Sequence, residues 1–237
     1  MKTLAVLSRK GGTGKTTLAI HLAVAAERAG HTAILIDLDP QASAAKWSDR
    51  RASVCESQTE GNGFAHRQRN AQNPRLSAND HREGDTPFVV TAPASRLQEV
   101  LSRARDAGAT LAILDTAPHT ETAALDAANV AQMALIPCKP ALIDLQAITS
   151  TINVIRLANV PARIVFNAVP ARGDRALQAR EAVKPFDVPC APCDVGDRVA
   201  FSDSYNAGLT AQEYEPRGKA SHEIQNLYKY ISAEMGV

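Results

Sequence analysis

The sequence is poor in aromatic residues, nearly neutral in charge and without a long apolar stretch. Aromatic residues make up 4% of the 237 positions. Lys and Arg total 26 against 25 Asp and Glu, so whole-chain charge neither argues for nucleic-acid binding nor excludes it. No stretch reaches the roughly 18 apolar residues that span a bilayer. The first residues lack the pattern of a signal peptide, since Arg9 and Lys10 follow a short apolar run. We therefore predict a cytoplasmic protein that does not act at a membrane.

Cysteine is also scarce, and its pattern does not indicate a disulfide framework or a zinc site. A chain of this length buries enough core to fold without disulfides. Cys190 and Cys193 form a single C-x-x-C, and the second pair or the two histidines that zinc requires are not nearby. We interpret them as small buried thiols beside a strand.

What the sequence does contain is an alternation of apolar, β-rich segments with helical patterns. Such alternation predicts an α/β fold in which helices cover both faces of a mostly parallel, twisted sheet. The length suits a single domain over residues 1–237. Strands are predicted at 3–8, 32–38, 87–92, 110–116, 133–138, 162–169 and 188–193. Helices are predicted at 16–29, 42–50, 95–107, 119–129, 144–158, 175–186, 198–206 and 219–234.

Residues 52–86 interrupt this alternation. They are polar, rich in Asn, Gln, Arg and His, and show no hydrophobic period. The pattern predicts a flexible insertion. A partner- or DNA-binding arm is the alternative, because four arginines lie here, although five acidic residues weaken it.

A glycine-rich loop lies between the first predicted strand and the first predicted helix. Residues 10–16 read Lys-Gly-Gly-Thr-Gly-Lys-Thr, which ends as a P-loop ends. Backbone N–H groups of such a loop and of the following helical turn point at phosphates. Lys15 is expected between the β- and γ-phosphates of ATP, and the Thr16 hydroxyl on Mg²⁺. The predicted nucleotide-binding residues of this segment are Gly11, Gly12, Thr13, Gly14, Lys15, Thr16 and Thr17.

The loop departs from the common P-loop pattern at its start. Arg9 stands where the first glycine is usual, and Lys10 precedes the glycine pair. This arrangement resembles the deviant Walker A box of the family that contains the ParA-type partition ATPases, MinD and the nitrogenase iron protein. The resemblance implies an ATP-hydrolysing P-loop domain. It also implies that Lys10 reaches across a homodimer to the partner's phosphates, which gives Lys10 a catalytic role beside Lys15.

Three carboxylates end predicted strands. Asp37 and Asp39 lie at the end of the second strand, at the edge where parallel sheets bind ligands. The resemblance implies that Asp39 orients the attacking water and that Asp37 helps to hold the metal shell. An acidic turn that caps the next helix is the alternative. Asp115 ends the apolar strand 111–115 in the manner of a Walker B motif, and is predicted to reach Mg²⁺ through a water.

Two further residues are predicted at the adenine. Asn167 ends the apolar strand residues 164–166, and its amide can both donate to and accept from the base. The family resemblance supports this role, while a strand-end cap is the alternative. The resemblance also implies that Pro192 lies beside the base.

The resemblance is strongest to the small ParA-type partition ATPases. Four stretches carry it: 37–43, 115–119, 136–140 and 210–214. It implies an ATP-dependent sandwich dimer that binds double-stranded DNA without sequence preference and associates with the nucleoid. A ParB-type centromere-binding protein would stimulate hydrolysis. Since the first strand begins at residue 3, we expect no sequence-specific DNA-reading domain ahead of it. Candidate DNA contacts are Arg198, Arg217 and Lys219, with ordinary solvated surface cations as the alternative.

Two other functions fit the same fold. A MinD-like positioning ATPase would carry a basic amphipathic C-terminal helix. The apolar stripe here has few flanking cations, which favours core packing. It comprises Ile224, Leu227, Tyr228 and Ile231. A metabolic P-loop ATPase or ligase is the second alternative, and retention of DNA in the presence of ATP would separate it from a partition protein.

Overall fold

The computed structural model describes residues 1–59, 86–118 and 120–237. Most of the predicted insertion at 52–86, and the predicted start of a helix at residue 119, lie outside these ranges.

The described chain forms one six-stranded, all-parallel sheet, which confirms the predicted fold class. The order across the sheet is β3-β2-β4-β1-β5-β6. Four interior strands bury almost every residue, because helices cover both faces of the sheet. The strands are β1 Lys2–Val6, β2 Ala33–Asp37, β3 Phe88–Thr91, β4 Leu111–Asp115, β5 Met133–Cys138 and β6 Ala162–Phe166.

Helices pack on both faces and divide the apolar residues into two clusters. Alternate strand residues point to opposite faces, so Leu4 and Val6 join one cluster while Ala5 and Leu7 join the other. The helices are α1 Lys15–Arg28, α2 Ser43–Thr59, α3 Leu97–Asp106, α4 Glu121–Val130, α5 Leu142–Ala158, α6 Arg175–Val183, α7 Val199–Asn206, α8 Ala211–Tyr214 and α9 Lys219–Met235. Short 3₁₀ turns precede α3 and follow α6, at Ala94–Arg96 and Lys184–Phe186.

The last helix, α9, packs against α1 and one face of the sheet. Its apolar stripe at Ile224, Leu227, Tyr228 and Ile231 is buried in the cluster that also contains Leu4 and Val6. The stripe therefore serves core packing, as the sequence predicted. Within the described ranges, no helix combines the length and the apolarity needed to cross a bilayer.

Two predicted elements were wrong, one helix in its boundary and one strand in its existence. The helix predicted at 42–50 continues to Thr59, into the predicted insertion. Trp47 is fully buried and Arg51 nearly so, and these residues lie one turn apart on the same face. Neither glycine nor proline interrupts the sequence up to residue 60, so the anchored helix continues.

The strand predicted at 188–193 is also absent from the described chain. This segment lies beside β6 but makes a single isolated bridge, between Cys190 and Ile164. Pro189 faces β6 through its carbonyl oxygen but has no N–H to donate to it, so the ladder is interrupted there. The thiols of Cys190 and Cys193 are half-buried and unbonded beside β6.

Candidate functional site

The glycine-rich loop connects β1 to α1 at the carboxyl edge of the sheet. Gly12 and Gly14 have φ values of 73° and 92°, which favour glycine. The Asn167 amide donates from Nδ2 to the Thr13 carbonyl oxygen at 2.7 Å. A Cβ at Gly14 would lie 2.0 Å from the same Nδ2. Asn167, which follows β6, therefore holds the loop against the sheet, and only glycine fits at position 14.

Lys15 begins α1 and is buried. Its Nζ donates to the Lys10 carbonyl oxygen at 3.3 Å. Burial lowers the pKa of Lys15, while the negative charges of Asp115 and Asp39 raise it. The ammonium group thus lies among two carboxylates and the loop backbone, where a polyphosphate would compensate its charge.

Lys10 is held within its own chain. Its Nζ lies 2.8 Å from Oδ1 of Asp144, in the first turn of α5. The Asp144 side chain is 7% exposed and that of Lys10 is 28% exposed. Beside it, Arg9 Nη1 lies 3.5 Å from Glu121 of α4, at a more exposed position. Each cation ahead of the glycines therefore pairs with an acid at the start of a neighbouring helix.

Asp115, the last residue of β4, has the least compensated carboxylate of the site. It is fully buried, and neither carboxylate oxygen has a hydrogen-bond partner among the described residues. Burial raises the pKa of Asp115 to about 7. The Thr16 hydroxyl lies near enough to lower that pKa without forming a hydrogen bond of good geometry. A buried, unpartnered carboxylate beside a threonine hydroxyl is a donor set that suits Mg²⁺.

The described residues do not form a complete metal cage by themselves. No group of three or more His, Cys, Asp or Glu side chains converges within the ranges that the structure covers. Mg²⁺ normally keeps several waters and shares its shell with substrate phosphates. The residues present therefore fit a metal ion that arrives with a nucleotide.

Asp37 and Asp39 both cap the turn that leads into α2. Asp37 accepts from the Asp39 N–H at 3.0 Å and from the Ala44 N–H at 2.9 Å. Asp39 accepts from the Gln41 N–H at 2.9 Å and is half-buried. The helix-capping alternative is thus observed for Asp37, whose two oxygens are both used; its role in the metal shell stays a prediction.

A cavity of about 610 Å³ adjoins the loop. Gly12, Gly14, Thr16, Thr17 and Asn167 line one part of it, in agreement with their predicted proximity. Pro192 is exposed and does not line it. The rest of the cavity is lined by residues 196–198, by one face of α7 and by three residues from other parts of the chain. Those of α7 are Val199, Phe201, Ser202, Tyr205 and Asn206, and the three others are Ser43, Lys139 and Ala168.

The three predicted DNA contacts differ in availability. Arg198 donates to Glu223 at 2.7 Å and is half-buried at the cavity. Arg217 and Lys219 are exposed, and neither forms an ion pair within the described part of the chain. Acidic residues share their surroundings, however, since Glu215 lines the same surface cavity of about 530 Å³.

Two residues of the site escaped the sequence interpretation. Asp144 pairs with Lys10, and Lys139 lines the cavity beside the loop. Lys139 directly follows β5. It thus occupies the same strand-end position that singled out Asp115 and Asn167, so its place in the sequence carried a usable signal.

The loop, the acidic strand ends and the adjoining cavity define a P-loop nucleotide-binding protein. The chain belongs to the CobQ/CobB/MinD/ParA nucleotide-binding-domain family, whose model matches residues 4–211. The resemblance to ParA-type ATPases is thereby confirmed.

Individual relatives extend over the whole chain. The chain is 28% identical to "Maintenance of carboxysome distribution protein A" of Gloeobacter kilaueensis, over 99% of this chain and 94% of that protein. It is 26% identical to the chromosome-partitioning ATPase Soj of Thermus thermophilus, over 99% and 97%. The septum site-determining protein MinD of Pyrococcus horikoshii, solved with Mg-ADP, shares the fold with a TM-score of 0.69. It is 19% identical, over 99% of this chain and 97% of that one.

Proposed function

We propose that this protein is a Mg²⁺-dependent ATPase of the ParA type. The observation that carries the proposal is the buried Asp115 carboxylate, which has no hydrogen-bond partner among the described residues and lies beside Thr16 and Lys15. Lys15 compensates this charge only in part, and burying a carboxylate without hydrogen bonds is unfavourable unless a further cation joins it. A nucleotide with Mg²⁺ supplies that cation and also neutralises Lys15.

In this proposal the chain acts mainly by positioning. N–H groups of the loop and of the first turn of α1 bind the phosphates, and Lys15 compensates their charge. Mg²⁺, held by Thr16 and through a water by Asp115, would neutralise charge that develops on the phosphates. Asp39 is half-buried near Lys15 and orients the attacking water. Hydrolysis yields ADP and phosphate.

Dimerisation would follow from the second lysine. Lys15 already serves the phosphates of its own subunit, so Lys10 is best used on those of a facing copy. ATP would then join two subunits face to face. Lys10 must leave Asp144 to make that contact, so the dimer would form only when the partner's phosphates repay the broken ion pair.

The dimer would bind double-stranded DNA without sequence preference, and a ParB-type protein would stimulate hydrolysis and release. The Soj relative, whose name states chromosome partitioning, supports this assignment. Arg217 and Lys219 are the preferred DNA contacts, because both are exposed and free of ion pairs in the described chain. Arg198 is the weaker candidate, since Glu223 already neutralises it.

A second candidate function is the positioning of a protein body instead of a replicon. The observation in its favour is the Gloeobacter relative, whose name states carboxysome distribution. A MinD-type membrane cycle is less favoured, because the apolar stripe of α9 is buried in the core. Imaging the tagged protein together with plasmid DNA and with candidate cargo would distinguish the two.

The test is retention of non-specific duplex DNA with ATP, with ADP and without nucleotide. We expect retention with ATP alone. Lys15→Ala should lose both ATP hydrolysis and DNA retention, while Arg217→Ala with Lys219→Ala should keep hydrolysis and flatten the salt dependence of DNA binding. Lys229→Ala, an exposed lysine on α9, is the matched control. Wild-type turnover in Lys15→Ala would overturn the proposed ATPase.

A further inference from the structure

Five cationic side chains surround the glycine-rich loop and the 610 Å³ cavity beside it. Four of them have a partner in the described chain, and so their charge is at least partly compensated. These pairs are Arg9 with Glu121, Lys10 with Asp144, Lys15 with the Lys10 carbonyl oxygen, and Arg198 with Glu223.

Lys139 is the exception. It is half-buried and lines the cavity together with Gly12, Gly14 and Thr16. Its ammonium group makes neither a hydrogen bond nor an ion pair with any residue that the structure describes.

The backbone fixes Lys139 at this position. The Ala141 N–H donates to its carbonyl oxygen at 2.8 Å, which turns the chain sharply after β5. One residue earlier, the Cys138 carbonyl oxygen accepts from the Asn167 N–H at 2.9 Å. Lys139 therefore follows the strand that pairs with both β1 and β6, between the glycine-rich loop and Asn167.

A half-buried ammonium group without an acid is only partly hydrated, so it attracts an anion that enters the same cavity. Asp197 also lines the cavity but is exposed, and it makes no ion pair with Lys139. The anionic part of a nucleotide is its phosphate chain, which the loop glycines bind through their N–H groups.

We propose that Lys139 binds the phosphate chain of the nucleotide held by its own subunit. It would be a third phosphate-binding lysine beside Lys15, which begins α1, and Lys10, which is assigned to the partner's nucleotide. This inference rests on the proposed nucleotide binding at residues 10–16. Its ligand class is a nucleoside di- or triphosphate, and inorganic tripolyphosphate should share the site.

The test is titration calorimetry with ADP and with tripolyphosphate, each with Mg²⁺, on four proteins: the wild type, Lys139→Gln, Lys139→Arg and Lys229→Gln. A hydrogen-bonded ammonium–phosphate contact predicts that Lys139→Gln weakens both ligands about tenfold. Lys139→Arg should retain most of the affinity, since it keeps the charge. Lys229→Gln removes an equally unpaired but remote lysine and should bind as the wild type does.

Thermal unfolding of the ligand-free proteins separates binding from folding. We expect the melting temperature of Lys139→Gln to match or exceed that of the wild type, because an uncompensated charge is removed. A Lys139→Gln protein that binds both ligands within about twofold of the wild type would overturn the inference. So would loss of affinity for ADP but not for tripolyphosphate, which would put Lys139 at the base or ribose.

Lys15→Ala distinguishes failure of this inference from failure of the proposed function. If Lys15→Ala loses nucleotide binding and Lys139→Gln does not, the proposed function stands and the inference is wrong. If the wild type binds neither ligand, both are wrong.

Discussion

Lys10 Nζ lies 2.8 Å from Asp144 Oδ1, so the lysine proposed to serve a partner subunit is bound to an acid of its own chain. The two residues are 134 positions apart, and the Asp144 side chain is almost fully buried. An ion pair of this kind opposes any movement of Lys10 across an interface, because the departing lysine leaves a buried carboxylate behind. In the proposed dimer, breaking this pair would therefore be a cost of association.

We predict that Asp144→Asn dimerises more readily with ATP. The amide retains the shape of the carboxylate but no longer holds Lys10, so the association constant should rise about tenfold. Sedimentation equilibrium with ATP measures it. Glu121→Gln is the matched control: it removes the more exposed acid beside Arg9, and exposed pairs contribute little. An Asp144→Asn dimer that is as weak as the wild-type dimer would show that the ion pair between Lys10 and Asp144 does not oppose dimerisation.

Gly14→Ala tests the contact between the loop and Asn167. The new Cβ would lie 2.0 Å from Asn167 Nδ2, on a backbone with φ of 92°. We expect loss of nucleotide binding and a lower free energy of unfolding. Gly30→Ala separates the two causes, because Gly30 has φ of 90° and nothing within 4 Å of the added Cβ. Backbone strain alone is worth about 1 kcal/mol.

The steric part of this effect is checked by a double variant. Gly14→Ala combined with Asn167→Ala should recover part of the stability that Gly14→Ala loses, measured by urea unfolding. If the two losses simply add, the clash with Asn167 is not what makes glycine necessary at position 14.

The sequence predicted those parts of the site that depend on local pattern. The glycine-rich loop and Asp115 could be found because a strand, a turn and a helix lie next to one another in the chain. Asp144 could not be found, because its partner Lys10 lies on a different element and only the packing of α5 beside the loop brings them together. Lys139 had a local signal, since it directly follows β5, but its missing counter-charge is visible only in the folded chain.

The errors in the fold have a similar origin. The composition of residues 52–59 is polar, and only the buried Trp47 and Arg51 reveal that the helix has an anchored face. The segment 188–193 has a β-rich composition, but Pro189 has no N–H to donate to β6 and interrupts the ladder. In α2 the local pattern was outweighed by contacts that a single segment does not display, whereas in 188–193 the proline is visible in the sequence itself.

His21 should make stability depend on pH. This residue of α1 is fully buried; its Nδ1 donates to the Thr17 carbonyl oxygen at 2.7 Å and its Nε2 accepts from the Ala211 N–H at 2.9 Å. Burial lowers the pKa of His21 from 6.5 to about 4. The unfolded chain therefore binds a proton at His21 more readily than the folded chain does. The stability that depends on neutral His21 is present above pH 6.5 and is lost as pH falls toward 4.

The measurement compares urea unfolding at pH 7.5 and pH 5 for the wild type and His21→Gln. Between these values the wild type should lose about 2 kcal/mol more than the variant. Other acids titrate equally in both proteins and cancel in the comparison. An identical pH dependence in the two proteins would show that His21 does not titrate as the burial requires.

Arg51 and Glu213 form a buried, bidentate ion pair that joins α2 to α8. Arg51 donates from Nη1 and Nη2 to the two Glu213 oxygens at 2.8 and 2.6 Å, and its guanidinium lies over the Trp47 ring. Glu213 also accepts from the N–H and hydroxyl of Thr210, in a capping box that begins α8. The pair thus fixes one end of the segment 210–214, which carried part of the family resemblance.

We predict that Arg51→Met lowers the free energy of unfolding by about 3–5 kcal/mol, because it leaves the Glu213 carboxylate buried with its strongest partner removed. The matched control is Arg103→Met, which breaks an exposed pair with Glu99 on α3 and should change stability by less than about 1 kcal/mol.

Restoring an apolar fit with Glu213→Leu in the Arg51→Met background should recover part of the loss, although the cap on Thr210 is then missing. Chemical denaturation of the wild type, Arg51→Met, Glu213→Leu and the double variant gives the coupling energy between the two positions. A coupling energy near zero would mean that Arg51 contributes to stability through its contacts with Trp47, Thr86 and Gly208 and not through Glu213.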